Sequence, residues 1–187
     1  MNQLTIRRAI PEDAKKLLDI YAPFVTDTAI SFEYEVPTEE EFRQRIEMKL
    51  EKFPYLVAEL DGEPVGYAYA SVFIPRPAYD WSVEVTVYIK EDCTGHGIGR
   101  KLYETLEAQL VEQHVCNVNA CIAYTDHPDP YVTNRSMEFH EHMGYRLVGK
   151  FTKSGYKFGR WYDMIWMEKI LQPHPQIPEP VKYLAEN

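Results

Sequence analysis

Cysteine is scarce in this chain, and the patterns of a metal-binding or disulfide-rich protein are missing. The 187 residues include only three cysteines, Cys93, Cys116 and Cys121, and no two of them have CxxC spacing. An odd number of cysteines without paired spacing favours a reducing compartment. The HExxH pattern is absent, and His140 and His142 lie two residues apart, so on a helix they would point in different directions. We therefore expect no metal site.

The sequence also lacks long apolar runs and an excess of basic residues. No apolar run approaches the roughly 18 residues of a membrane-spanning helix, so we expect no membrane span. The N-terminal sequence MNQLTIRRAI is polar and strand-like rather than typical of an export signal. Twenty Lys and Arg against 29 Asp and Glu give a formal net charge of −9, which argues against nucleic-acid or anionic-membrane partners. These features predict a soluble, cytoplasmic protein.

Two common phosphate-binding motifs are missing, although residues 94–100, TGHGIGR, are rich in glycine. No GxxxxGK[ST] pattern occurs. A dinucleotide-binding GxGxxG pattern that began at Gly95 would need glycine at position 100, where Arg100 stands. A pattern that began at Gly97 would need glycine at position 102, where Leu102 stands. If these glycines bind no ligand, the segment is an ordinary turn between two elements.

A predicted strand and a predicted helix flank this glycine loop. From Trp81 to Ile89, β-branched and other apolar residues alternate with residues that carry polar groups, which indicates a strand. After the loop, Leu102, Leu106 and Leu110 recur at every fourth position, which indicates a helix with one buried face. Free backbone N–H groups at a helix start, next to glycines that allow close approach, favour binding of an anion such as a phosphate.

The remaining pattern predicts one α/β domain with a short tail. Further strands are predicted over residues 4–7, 55–60, 65–73, 119–124, 145–151 and 162–170. Further helices are predicted after Pro11, after a capping box from Thr38 to Glu41, and over residues 136–143. A loop over residues 155–161 should join the last two strands. Residues 1–171 thus form one domain, and the proline-rich residues 172–187 form a tail that packs as an extended arm or stays mobile.

Three features of the chain resemble the GNAT acetyltransferases. The glycine loop resembles the pyrophosphate-binding motif [RQ]-x-x-G-x-[GA] of that family, with Gly97 and Gly99 in the glycine positions and Thr94 where Gln or Arg is usual. The segment YDWSVE, from Tyr79 to Glu84, resembles the YDWxxE segment of the phosphinothricin N-acetyltransferases. The element order over roughly residues 3–170 resembles the whole GNAT fold. The resemblance implies a mixed α/β fold, with a mostly antiparallel central sheet of roughly seven strands flanked by about four helices.

The same resemblance assigns catalytic residues. The glutamate of the YDWxxE segment is the family's general base, which would make Glu84 the group that takes a proton from the acceptor amine. The segment FHEHMGY resembles a family helix in which the general acid stands at the position of His140. Taken alone, Glu84 is also consistent with a solvent-facing or ion-paired residue, and His140 with a hydrogen-bonded helix histidine. GNAT transfer is direct, so Cys93 is not expected to be a nucleophile.

The resemblance implies acetyl-CoA as the cosubstrate. Its pyrophosphate is expected on backbone N–H groups of the loop and first helical turn, and its pantetheine beside the preceding strand, like an added strand. The residues concerned are Gly95, His96, Gly97, Ile98, Gly99 and Arg100 for the pyrophosphate, and Val87, Tyr88 and Ile89 for the pantetheine. The family also places an asparagine against the pantetheine. Thr133 holds the matching position here, and its neighbour Asn134 is the candidate.

The acceptor implied by the resemblance is a small amino acid. Arg76 matches, without a gap, an arginine in a loop of the phosphinothricin enzymes, and a guanidinium can bind a carboxylate through two parallel hydrogen bonds. Phe32 and Tyr79 are expected to form walls of the acceptor site. Phosphinothricin or methionine sulfoximine would suit this arrangement, with the amino group facing Glu84. If Arg76 is only a solvated loop residue, the acceptor could instead be an aminoglycoside, a polyamine or a protein N-terminus.

Two further interpretations concern turnover and assembly. An acyl-CoA-binding module without turnover is the alternative to an enzyme, although Glu84 in its YDWxxE context disfavours it. The phosphinothricin enzymes are commonly homodimers, and 14 tyrosines and three tryptophans supply side chains that often anchor interfaces. We therefore expect a two-fold homodimer, with the proline-rich tail as a candidate to pack across it.

Overall fold

Seven strands form one sheet in this computed structural model, which describes residues 3–184. The strands are β1 Leu4–Arg8, β2 Tyr55–Leu60, β3 Glu63–Val72, β4 Ser82–Ile89, β5 Asn117–Tyr124, β6 Arg146–Lys157 and β7 Arg160–Ile170. Their order across the sheet is β1-β2-β3-β4-β5-β7-β6, and every neighbouring pair is antiparallel except β4 with β5. The expected mixed α/β fold with a mostly antiparallel sheet is confirmed.

Four α-helices flank the sheet within the described chain. They are α1 Ala14–Thr26, α2 Glu39–Leu50, α3 Ile98–Glu112 and α4 Arg135–His142. The predicted capping box opens α2: the Thr38 backbone N–H donates to Glu41 Oε2 at 2.7 Å, and the Glu41 N–H donates to Thr38 Oγ1 at 3.2 Å. None of the helices in residues 3–184 is long and apolar enough to cross a membrane.

Over its central strands, the sheet is covered on both faces. On one face α3 contributes Leu102 and Leu106, which join a core cluster with Val83 of β4. On the other face α1 and α2 cover a cluster that includes Tyr67 of β3. Alternate residues of β4 therefore face two different clusters. The set that includes Glu84 ends at Tyr88, which packs partly buried against the cluster under α1 and α2.

The parallel pair β4–β5 is short, and the two strands then diverge. Only residues 82–84 pair with residues 117–119. At the end of this pairing the buried Asn119 side chain donates from Nδ2 to the Val83 carbonyl at 3.2 Å. Beyond Glu84 the backbone of β4 has no strand partner on the β5 side among the described residues. A cleft with an open strand edge results.

The predicted loop over residues 155–161 is wrong. The β6 strand continues to Lys157, and a two-residue turn at Phe158 and Gly159 leads directly into β7. Both turn residues have positive φ, at 50° and 76°, as tight hairpin turns between antiparallel strands require. The pairing is irregular between Phe151 and Gly155, and this irregularity interrupts the alternation that sequence reading depends on.

The described part of the tail, residues 172–184, packs on its own chain as an extended arm. The Trp81 indole donates to the Glu179 carbonyl at 2.7 Å. The Gln113 side chain, just beyond α3, donates to the Lys182 carbonyl at 2.6 Å, and Val181 is buried. The last three residues of the predicted tail and the first two of the predicted domain lie outside the described residues.

Candidate active site

The glycine loop ends at a helix start whose N–H groups are open. Gly97 is the N-cap of α3 with a left-handed φ of 77°, a conformation that favours glycine. No side chain in the described chain caps this helix, and a Cβ at Gly97 would have nothing within 4 Å. The N–H groups of the first helical turn therefore have no side-chain cap, and the binding of a pyrophosphate over Gly95 to Arg100 stays a prediction.

Gly99 serves a different purpose from Gly97. A Cβ at Gly99 would lie 3.2 Å from the Phe139 ring of α4, closer than most real contacts. The absent side chain therefore lets α3 approach α4 directly. This contact places the start of α3 beside the helix that carries His140.

The cleft between β4 and β5 contains a cavity of about 60 Å³. Val85 to Tyr88 form one wall and Ala120 to Ala123 form the other, while Tyr103 and His140 also contribute to its lining. Of the three residues expected beside the pantetheine, Val87 and Tyr88 line this cavity, and Ile89 packs partly buried against the α3 side of the core. The open edge of β4 leaves room for an added strand-like group.

Glu84 is half-buried at the last position of β4 that pairs with β5. Burial raises the pKa of its carboxyl group, and the charge of Lys49 opposes that rise. Within residues 3–184 its side chain forms no hydrogen bond or salt bridge, so an ion pair does not account for its position. A carboxylate in this state can accept a proton at a higher pH than an exposed one.

His140 is buried, at 3% exposure, and both ring nitrogens are occupied. Its Nδ1 lies 2.7 Å from the Ser136 carbonyl oxygen, which can only accept, so Nδ1 carries the proton. Its Nε2 therefore accepts a hydrogen bond from the Tyr103 hydroxyl at 3.0 Å. Burial lowers the pKa of His140 to about 4, so the imidazole is neutral near pH 7.

Asn134 is the N-cap of α4 and has a left-handed φ of 60°. Its side chain holds the end of β5: Nδ2 donates to the Thr125 carbonyl at 2.8 Å, and Oδ1 accepts from the Thr125 N–H at 3.2 Å. The Asn134 side chain thus fixes the start of α4 against the end of β5. Its contact with the pantetheine stays a prediction.

The residues expected at the acceptor site lie on two exposed loops. Phe32 lies in the loop between α1 and α2, and its ring occupies the space where a Cβ at Gly155 would stand, 2.5 Å from the nearest ring carbon. Tyr79 is 40% exposed, and its ring centroid lies 6.2 Å from that of Phe73. The Arg76 side chain is exposed and has no salt bridge with any residue in 3–184.

Comparison with known proteins identifies the family. Residues 6–166 match the family described as an acetyltransferase (GNAT) domain. The chain belongs to the GNAT acetyltransferase family. The acetyltransferase is 33% identical to the phosphinothricin N-acetyltransferase of Streptomyces viridochromogenes, over 97% of this chain and 94% of that protein.

Two further relatives agree with this assignment. The acetyltransferase is 28% identical to an L-methionine sulfoximine/L-methionine sulfone acetyltransferase of Salmonella typhimurium, over 91% of this chain and 96% of that protein. A solved structure of a phosphinothricin acetyltransferase from Sinorhizobium meliloti, in complex with acetyl-CoA, is 29% identical and has a TM-score of 0.84 over 97% of this chain and 98% of its own. The expected family, fold and class of enzyme are confirmed.

Sequence reading missed two side chains of this acetyltransferase that stand at the site. Tyr103 lies on α3, and its hydroxyl forms a hydrogen bond with His140. Lys49 on α2 lies on the same face of the sheet as Glu84, and its charge opposes the rise in the pKa of that carboxyl group. The spacing of Lys49 could have indicated its unusual position. Phe42, Ile46 and Lys49 lie on one face of the helix, and a lysine on a buried face is uncommon.

Proposed function

We propose that this acetyltransferase moves the acetyl group of acetyl-CoA to the α-amino group of a small amino acid, with Glu84 as general base. The observation that carries the proposal is the half-buried Glu84 carboxylate, which has no partner among the described residues and stands where β4 and β5 begin to diverge. The relatives named for phosphinothricin and methionine sulfoximine support an acceptor of that class.

The acid–base chemistry follows from the charge of the reacting groups. An amine is protonated near pH 7 and becomes a nucleophile only after it loses that proton. Glu84 would take the proton, directly or through one water, and its burial favours the protonated product. The neutral amine nitrogen would then attack the thioester carbonyl directly, forming the C–N bond as the C–S bond breaks. The CoA thiolate would leave and take up the second proton of the amine, which gives the amide and CoA thiol. Because the His140 imidazole is neutral, its role as general acid stays a prediction.

The residues present fit acetyl-CoA. The uncapped start of α3 offers N–H groups to its pyrophosphate, and the left-handed Gly97 keeps side-chain atoms away from them. The unpaired edge of β4 offers backbone groups to the pantetheine amides. Acetyl-CoA supplies the activated acetyl group when it is bound.

Arg76 supports an acceptor with a carboxylate. Its guanidinium has no salt bridge within residues 3–184 and lies in the loop that leads into β4. A carboxylate bound there would leave the α-amino group free to face Glu84. A polycationic aminoglycoside would instead be repelled by this arginine.

An acceptor panel tests the proposal. Release of CoA thiol from acetyl-CoA should be measured with phosphinothricin, methionine sulfoximine, kanamycin, spermidine and a peptide with a free N-terminus. We expect turnover with the two amino acids and little with the polycations. Efficient turnover with only the amines that lack a carboxylate would overturn the acceptor class, and binding of acetyl-CoA without any turnover would favour a binding module.

We also propose that the acetyltransferase acts in the cytoplasm as a homodimer. Its net charge of −9 and three cysteines without CxxC spacing fit a reducing compartment without nucleic-acid partners. Several large apolar side chains of the β6–β7 hairpin are exposed: Leu147, Val148, Phe151, Tyr156 and Trp161. Exposed apolar patches of this kind are typical of protein interfaces.

A further inference from the structure

A second cavity lies under α1 and α2, on the face of the sheet that carries Glu84. Its volume is about 60 Å³, enough for a small group of the size of a carboxylate or a methylphosphinate. Two cationic side chains and several tyrosines contribute to its wall, among them Arg45, Lys49, Tyr55, Tyr67, Tyr69 and Tyr88. In a chain with a net charge of −9, a small cavity with two cations points to an anionic occupant.

The two cations of this cavity differ in their partners. Arg45 Nη1 lies 2.8 Å from Glu33 Oε1, so its charge is already balanced. The Lys49 side chain forms no salt bridge or hydrogen bond within the described chain, and its Nζ lies 4.7 Å from the centroid of the Tyr69 ring. Burial and the nearby Arg45 lower the pKa of Lys49, so an anion beside the ammonium would relieve an existing electrostatic cost.

Phenolic hydroxyl groups provide further donors. Within residues 3–184 the hydroxyls of Tyr55, Tyr67 and Tyr88 have no hydrogen-bond partner. Burial raises the pKa of all three tyrosines well above its usual value, so each hydroxyl keeps its proton. The three tyrosines line the cavity, and donors that open into a cavity without a protein partner are generally satisfied by water or by a ligand.

The cavity lies beside Glu84 along the sheet. Tyr69 is opposite Thr86 in the β3–β4 pairing. Thr86 is two residues beyond Glu84 on the same face of β4, a separation of roughly 6–7 Å along a strand. An extended amino acid spans roughly 5 Å from its amino nitrogen to its γ substituent, as four covalent bonds allow. An acceptor whose amino group faces Glu84 can therefore place its side-chain end towards Lys49.

We propose that this cavity binds an acidic side-chain group of the acceptor, so that Lys49 selects amino acids with an oxyanion at the γ position. The inference rests on the proposed function, since it needs the acceptor amine at Glu84. The loop that carries Arg76 precedes β4, and the cavity lies beyond Glu84 along the same strand. Arg76 and Lys49 would then hold the two acid groups of the acceptor on opposite sides of the reacting amine.

Two acceptors of the same shape and different charge test this selection. Phosphinothricin and methionine sulfone share a carbon skeleton, and an anionic methylphosphinate in the first replaces a neutral methylsulfonyl group in the second. The kcat/KM of each should be measured for wild type and for Lys49→Met. We expect the variant to lose roughly tenfold or more for phosphinothricin relative to methionine sulfone, as for loss of a charged hydrogen bond.

Matched variants separate this effect from a general one. Lys15→Met removes the same charge from α1, where the side chain is 70% exposed, and should leave the ratio of the two kcat/KM values unchanged. Lys49→Arg keeps the charge and should retain most of the preference. If Lys49→Met does not fold, as judged by circular dichroism, Lys49→Gln allows the same comparison.

Three possible results test whether Lys49 selects an acidic acceptor. A selective loss for phosphinothricin supports the inference. An equal loss for both acceptors overturns it and leaves Lys49 acting only on the charge of Glu84. If wild type acetylates neither amino acid, the proposed function itself fails, which is distinct from an active enzyme with an unchanged ratio.

Discussion

Glu84 combines burial with a free carboxylate, and this combination makes it suitable as a base near neutral pH. We expect Glu84→Gln to keep the fold and the affinity for acetyl-CoA while lowering kcat by roughly 10²–10⁴. Because burial raises the pKa of Glu84 and the base acts when ionised, wild-type kcat/KM should fall as the pH drops through a value above the usual ~4.3 of glutamate. A variant with near wild-type kcat and an unshifted pH profile would remove Glu84 from the mechanism.

His140 should make the stability of the protein depend on pH. Burial lowers its folded-state pKa to about 4, below the ordinary ~6.5 of the unfolded chain. The unfolded state therefore binds more protons between these two values, so the free energy of unfolding rises with pH across that window. From pH 7 to pH 5 the loss due to this residue is about 2 kcal/mol.

Urea denaturation at both pH values checks this expectation. His140→Gln, which cannot titrate in this range, should show a smaller pH dependence than wild type, whatever its stability at pH 7. If the two proteins lose equal stability between pH 7 and pH 5, His140 is not the group responsible.

The start of α3 is an element whose function can be tested with a matched pair of glycines. Gly97 and Gly62 both have positive φ, at 77° and 85°, and a Cβ at either would have nothing within 4 Å. Replacement of each by aspartate should therefore impose a similar backbone strain, roughly 1 kcal/mol. Only Gly97→Asp places a negative charge at the proposed pyrophosphate site.

Isothermal titration calorimetry with acetyl-CoA measures the difference. We expect Gly97→Asp to weaken binding by tenfold or more and Gly62→Asp to leave it unchanged, because Gly62 lies in the β2–β3 turn. Unchanged affinity in both variants would place the pyrophosphate elsewhere.

Strands and helices that have a clear local pattern could be predicted from the sequence. Alternation predicted β4, and the capping box at Thr38 predicted the start of α2. The β6–β7 hairpin could not be predicted in this way, because its irregular pairing near Gly155 breaks the alternation and its turn includes Phe158, an unusual residue for positive φ.

The residues of the candidate site also differ in whether a local motif identifies them. Glu84 and Gly97 belong to local motifs, so a resemblance could point to them. Tyr103 and Lys49 come from helices on opposite faces of the sheet, and only the folded chain brings each of them to the site. The spacing of Lys49 places it on the buried face of its helix, but it does not show which residue Lys49 contacts, since the residues involved are far apart along the chain.

For the whole molecule, the tail and the β6–β7 hairpin differ in how well they are covered. The described tail binds its own chain through Gln113 and Trp81. The hairpin, in contrast, leaves Val148, Phe151 and Trp161 more than half exposed, at 59%, 55% and 56%. A second copy of the chain on this surface would cover apolar area that is otherwise in contact with water.

We therefore expect a dimer that depends on the β6–β7 hairpin. Light scattering of the wild type at micromolar concentration should give the mass of two chains, and Phe151→Asp should give the mass of one, because a buried unpaired charge opposes association. Val111→Asp changes an apolar residue of α3 that is 37% exposed and should leave the dimer intact. A monomeric wild type would refute the dimer, whereas a Phe151→Asp variant that stays dimeric would place the interface on another surface.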